Sequence, residues 1–190
     1  MSDIIKFNTE DAVKDGIVLP QQAKTFNLVA EDNPILREVM PEFNFDNPPV
    51  NPNEFASTLV ETCKINRGYG LSANQCGFKH RVFVMGTGDD YVAFYNPKII
   101  SQKGESHLAE GCLSFPLLGL HITRASIIDV EYQDFNGVIR QSTFSGISAR
   151  CFQHELDHMN GIVYTRRVKP MALQSGLKKR NKLIKKIKLI

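Results

Sequence analysis

No stretch of this 190-residue chain approaches the ~20 consecutive apolar residues that a membrane-spanning helix needs, so no membrane span is expected. Its start, Met1-Ser2-Asp3-Ile4-Ile5-Lys6, lacks the basic region and the cleavable apolar stretch of a secretory signal, which points to the cytoplasm. Cysteine is sparse, with only Cys63, Cys76, Cys112 and Cys151. Without a secretory signal these four read as reduced thiols, one of them a candidate metal ligand, and not as a disulfide framework. Internal repeats and low-complexity segments are also missing, which leaves no sign of a solenoid or linker array. The last absence is of acid: from His158 to Ile190 there are ten Lys or Arg and no Asp or Glu. Subtracting those ten from the total of 23 leaves 13 basic against 20 acidic residues before that point, so an acidic body carries a basic tail.

What is present suits one globular unit. With 42% hydrophobic and 23% charged residues, the length supports one well-cored domain spanning 1–190. An irregular arm is expected over about 1–27, and the prolines Pro48, Pro49 and Pro52 among asparagines mark 44–53 as an extended connection. From Asn53 a helical pattern places Phe55, Leu59 and Cys63 on one stripe with Val60 beside it, ending near Gly68. Short β-rich runs follow at 81–85, 91–100 and 126–133, and Ile128, Val130 and Tyr132 alternate with polar neighbours in the last of them. That run meets Asn136-Gly137, the favoured pair for a type I′ turn, and returns over 138–144 as a hairpin. Residues 146–158 read as a helix stopped by Gly161, and about 171–190 as a basic amphipathic helix with Leu173, Leu177, Leu183, Ile184 and Ile187 among lysines. The expected fold class is α+β, with antiparallel sheets around the helix at 146–158.

That helix carries the chemistry. In Gln153-His154-Glu155-Leu156-Asp157-His158 the two histidines stand four residues apart, one turn along the same face, so both imidazoles can hold one metal while Glu155 handles the proton of a water. A catalytic site of this type needs a third protein ligand and an open position. The candidates are the four cysteines, a carboxylate, or His80, His107 and His121. Cys151 shares the histidine face but lies seven residues before His158, roughly 10 Å along the axis, too far for a short side chain. Cys112 is better placed, in Glu110-Gly111-Cys112-Leu113-Ser114-Phe115-Pro116, because Gly111 permits close approach and Pro116 argues for an extended or turning segment.

Three segments, Gly68-Tyr69-Gly70-Leu71-Ser72-Ala73-Asn74-Gln75, Glu110-Gly111-Cys112-Leu113-Ser114 and Gln153-His154-Glu155-Leu156-Asp157-His158, together resemble the peptide deformylase family, in the family's order and over residues ~34 to 170. The resemblance implies a divalent metal on Cys112, His154 and His158, with Glu155 as acid and base and with Gln75 and the Leu113 backbone N–H facing the developing oxyanion. It implies Fe(II) as the physiological metal, although one thiolate and two imidazoles also accept Zn, Ni or Co. It implies a monomer that releases formate from N-formylmethionyl nascent peptides. Gly68, Tyr69, Gly70, Ile147 and Cys151 match positions that bind substrate, and Glu110 and Arg124 match a supporting ion pair. The chain departs from the family at Ser72, where alanine is usual and little effect is expected. It departs again at Gly119, where many relatives carry an arginine that grips the substrate backbone; peptide binding here is expected to lean on backbone contacts. Because the family's substrate emerges from a ribosome, the basic tail is expected to contact ribosomal RNA. Two other readings compete with this one. A zinc endopeptidase expects a downstream Glu or His ligand, and neither type occurs after His158. A catalytically silent ribosome-associated relative is countered by the presence of every catalytic residue type.

Overall fold

The computed structural model describes residues 24–187, so the arm expected over about 1–27 lies largely outside the described residues. At its edge the Phe26 N–H donates to Thr62 Oγ1 at 2.9 Å, and the Phe26 ring packs on Phe55 and Phe78. Helix α1 (Pro52–Ile65) begins earlier than the expected start at Asn53. Asn51 is the cap, its Oδ1 accepting from the Glu54 N–H at 3.1 Å, and Pro52 opens the first turn, where its missing N–H has no intrahelical partner to lose. Phe55, Leu59 and Cys63 are buried as their spacing demands, whereas Val60 is only half-buried. The extra buried positions are Ala56, Thr58 and Thr62, and the two threonine hydroxyls donate back to the carbonyls of Glu54 and Thr58 and so need no other partner.

Seven strands follow: β1 (Gly70–Ser72), β2 (Val82–Thr87), β3 (Asp90–Lys103), β4 (Ser106–Cys112), β5 (Phe115–Arg124), β6 (Ile127–Gln133) and β7 (Ile139–Ser145). Five of them form an antiparallel sheet in the order β1-β2-β3-β6-β7, and β4 pairs with β5 in a separate two-stranded sheet. The β6–β7 hairpin exists, but its loop is not the expected two-residue type I′ turn. Gln133 faces Ile139, the Asp134 N–H donates to the Val138 carbonyl at 2.9 Å, and only Gly137 has positive φ, at 78°. Type I′ requires φ above zero at both central residues. Here the Asp134 carboxylate accepts from the N–H groups of Asn136 and Val138 and holds a three-residue loop that Gly137 closes.

The β4–β5 hairpin is the element least visible beforehand, since residues 110–116 read only as extended or turning. Its signal lies just downstream, where buried Leu118, Leu120 and Ile122 alternate with exposed Gly119, His121 and Thr123. Helix α2 (Gly146–Met159) lies against β1, β2, β6 and β7, and its fully buried Phe152 stacks edge-on to Phe83 and Phe94. Helix α3 (Pro170–Ile187) docks on β5 through a narrow stripe of Leu173, Gly176, Arg180 and Ile184, spaced three and four residues apart. A Cβ at Gly176 would stand 2.8 Å from Leu120 Cδ2, which explains the glycine in mid-helix. Leu177, Leu183 and Ile187, expected on the buried face, are 37%, 47% and 57% exposed, so this face is only partly covered.

Candidate active site

Two consecutive elements meet at α2. The β4–β5 turn brings Cys112 over the helix face that carries His154 and His158, and the Cys112 Sγ lies 3.3 Å from His158 Nε2. One ligand atom from each of Cys112, His154 and His158 falls within 4.8 Å of the others, while Cys151 stands outside this cluster. A thiolate and two imidazoles at this spacing are a fitting donor set for a divalent transition metal. Burial alone would lower His154, but the Cys112 sulfur and the Glu110 carboxylate push it up to about 10, whereas burial holds His158 well below the usual imidazole range. The proton on His154 therefore competes with a metal for the same lone pair. His158 Nδ1 has no hydrogen-bond partner among the described residues.

A buried ion network supports the ligands. His154 Nδ1 sits 3.1 Å from Glu110 Oε2, which fixes the ring so that Nε2 faces the cluster. Glu110 in turn takes two hydrogen bonds from Arg124, at 2.6 and 2.9 Å, the pair the resemblance implies. Burial by itself would raise Glu110, but the hydrogen bonds from His154 and Arg124 and the Arg124 charge hold it at about 2. Three further members had not been singled out in the sequence. Arg150 donates to Glu110 Oε1 at 2.5 Å, to the Ile122 carbonyl and to the Ser106 carbonyl. Asp157 accepts from Arg124 at 2.8 Å and from Arg167 Nε at 3.0 Å. The signal for Arg150 was its place one turn before His154 on the same face, because a buried guanidinium needs a carboxylate or carbonyls around it.

Glu155 is 4% exposed, and burial pushes its carboxyl up from the usual range. The Ser72 hydroxyl lies 2.5 Å from Glu155 Oε2, and a Cβ at Gly70 would stand 2.6 Å from Oε1, so β1 clamps the carboxylate from both sides. The residue that replaces the family's usual alanine is thus in direct contact with the acid. Gln75 is also anchored from β1: its Oε1 accepts from the Ser72 N–H at 2.9 Å, which turns Nε2 toward Cys112 Sγ and Ser114 Oγ. Cys63 and Cys76, pushed up to about 12 by burial, are neutral core thiols, and all four cysteines are free.

A cleft of ≈ 710 Å³ opens onto this centre between β1 and the β4–β5 turn. Gly68, Tyr69, Gly70, Gln75, Leu113, Ile147 and Cys151 all line it, together with Glu110, Cys112, His154 and Glu155. Tyr69 and Ile147 are 66% and 59% exposed, so neither is a core residue. In the β1–β2 ladder the Tyr69 carbonyl accepts from the Gly86 N–H, so the N–H and C=O of the next residue, Gly70, point away from β2 into the cleft.

Comparison with known proteins agrees with this geometry. The polypeptide deformylase family model matches residues 25–174. A peptide deformylase of Thermotoga petrophila is 39% identical over 140 residues, which cover 73% of this chain and 84% of that protein. The crystal structure of the Thermotoga maritima peptide deformylase superposes with a TM-score of 0.71 at 35% identity, over 77% of this chain and 99% of the other. That of the Synechococcus elongatus peptide deformylase, solved in complex with actinonin, gives 0.76 at 28% identity over 86% and 93%. The three motifs fall inside the matched residues, and the chain belongs to the peptide deformylase family.

Proposed function

We propose that Cys112, His154 and His158 hold the divalent metal with which the chain removes the N-formyl group from the methionine of new polypeptides, and that Glu155 carries the proton through the reaction. The family is metal-dependent, and the observation that supports these roles is the convergence of the three ligand atoms within 4.8 Å beside a buried carboxylate. A divalent ion held there supplies Lewis-acid activation of water and of the formyl oxygen. We take it to be Fe(II), with Zn, Ni and Co as acceptable substitutes for this donor set.

The protein's own part follows from its contacts. Burial raises the Glu155 carboxyl above the usual carboxylate range, and Glu155 accepts a proton as water attacks the formyl carbon. The Gln75 amide and the Leu113 N–H stabilise the oxygen of the tetrahedral species, and loss of one such donor typically costs ~100- to 1,000-fold in rate. Glu155 then gives the proton to the leaving amine, and formate and a free N-terminus result. Ser72 keeps Oε2 occupied throughout, which leaves Oε1 to face the reacting atoms. The outward N–H and C=O of Gly70 suit backbone pairing with an extended peptide, and Tyr69, Ile147 and the neutral Cys151 thiol form a soft wall for the methionine side chain.

The same reading treats 1–190 as a single domain, since β2 feeds both core clusters, with Phe83 and Met85 in one and Val82 and Val84 in the other. It places a monomer in the cytoplasm, with Lys178, Lys179, Lys182, Lys185 and Lys186 of α3 exposed toward ribosomal RNA. The test is formate release from formyl-Met-Ala-Ser by anaerobic protein loaded with Fe(II) or Ni(II). Wild type is expected to turn over and Glu155→Gln to bind metal without turnover. A folded, metal-loaded wild type that releases no formate refutes the reading.

A further inference from the structure

Two arginines and two glutamates line the cleft, and three of these four are already committed. Glu155 is buried at the reacting centre, and Glu110 and Arg150, both buried, bond to each other at 2.5 Å. The fourth, Arg67, is exposed on the rim, and its guanidinium has no carboxylate or hydrogen-bond partner among the described residues. Its neighbour Lys64 is already taken, by Glu61 and Asp89. The facing rim, Pro116, Leu117, Leu118 and Gly119, offers no charge at all.

Arg67 is fixed on the rim by the end of α1: its φ of 57° is the left-handed conformation of a helix C-cap, in which the N–H groups of Asn66, Arg67 and Gly68 bond to the last carbonyls of the helix.

Distance along the chain then selects what Arg67 meets. Gly70 adjoins Glu155, so a formylmethionine positioned for reaction pairs beside Gly70. Arg67 lies three residues before Gly70 in the turn that leads from α1 into β1, at most about 10 Å of chain away and on the rim of the same cleft, which is within reach of the second and third residues of a paired peptide. We infer that Arg67 is a specificity-determining residue of the cleft, selecting formylated peptides with an acidic side chain at the second or third residue. The inference rests on the deformylase reading and adds a charge preference to it.

The experiment compares kcat/KM for formyl-Met-Ala-Asp, formyl-Met-Ala-Ala and formyl-Met-Ala-Lys, and for formyl-Met-Asp-Ala against formyl-Met-Lys-Ala, all as C-terminal amides so that no terminal carboxylate competes. In wild type the Asp peptide of at least one pair is expected to exceed its Lys partner about fivefold or more, a difference of the size exposed ion pairs supply, and the ratio should shrink in 0.5 M salt. Arg67→Glu is expected to invert the ratio, and Arg67→Asn, which tolerates the left-handed backbone, to bring it to about one. Ratios near one in wild type, or ratios that Arg67→Glu leaves unchanged, overturn the assignment while the deformylase reading stands. If no peptide releases formate, it is the deformylase reading that fails.

Discussion

Ser72 illustrates how much one atom can add at the residue scale. The Ser72 hydroxyl sits 2.5 Å from Glu155 Oε2, and both residues are buried. A hydrogen bond to an ionised group is worth about 1.5–3 kcal/mol in general, of which only a part is spent on a transition state. Ser72→Ala is expected to lower kcat about three- to tenfold, near 1 kcal/mol, with KM and metal content unchanged. Steady-state kinetics with metal analysis decide it; a loss of thermal stability with unaltered kcat removes the positioning role. The Ser72–Glu155 contact cannot be read from the sequence, because the partners stand 83 residues apart.

At the scale of elements, the decisive contact is between the β4–β5 hairpin and α2. Glu110 joins them, bound by Arg124 of β5 and by Arg150 and His154 of α2. Its folded value of about 2 lies below its ordinary value of 4.5, so the carboxylate contributes stability that is fully present above about pH 4.5 and is lost as pH falls toward 2. The size is on the order of 3 kcal/mol. Urea denaturation between pH 5 and 2.5 should show this loss in wild type and a much flatter profile in Glu110→Gln, which is less stable throughout because it leaves Arg124 and Arg150 undercompensated. Equal slopes for the two proteins would mean that other carboxylates govern acid unfolding. The hairpin is hard to read from the sequence, although the alternation from Leu118 to Thr123 is regular, because Gly111, Pro116 and Gly119 interrupt the propensity that normally announces strands.

Across the whole molecule the charge is divided: an acidic body holds the site, and the basic helix α3 is attached by one stripe and by the Arg180–Glu31 ion pair at 2.7 Å. In the last third of the chain the candidate ligands and the cleft lining draw only on Ile147, Arg150, Cys151, His154, Glu155 and His158. Deleting residues 178–190 is therefore expected to leave kcat/KM on short formyl peptides within about twofold, while abolishing co-sedimentation with ribosomes that in the intact chain weakens steeply with salt. Sedimentation of both forms at 50 and 300 mM salt reads this directly. Undiminished ribosome binding by the shortened chain would remove α3 as the contact.

The sequence by itself determined the chemistry: His154, Glu155 and His158 are fixed on one helical face by a spacing of four residues, and helix, hairpin and basic tail follow from local periodicity. Local rules also carried Cys112 as far as an extended segment. What only the tertiary structure decided is how distant segments complete one another. The register of β4 on β5 sets Cys112 beside His158, α2 presents Glu155 to Ser72 and Gly70, and the free edge of β1 opens the cleft with Arg67 at its mouth. These contacts join residues 46 to 85 positions apart, and nothing in a local pattern of hydrophobicity or propensity encodes such a pairing; it arises only when the sheets and α2 bury their apolar faces together.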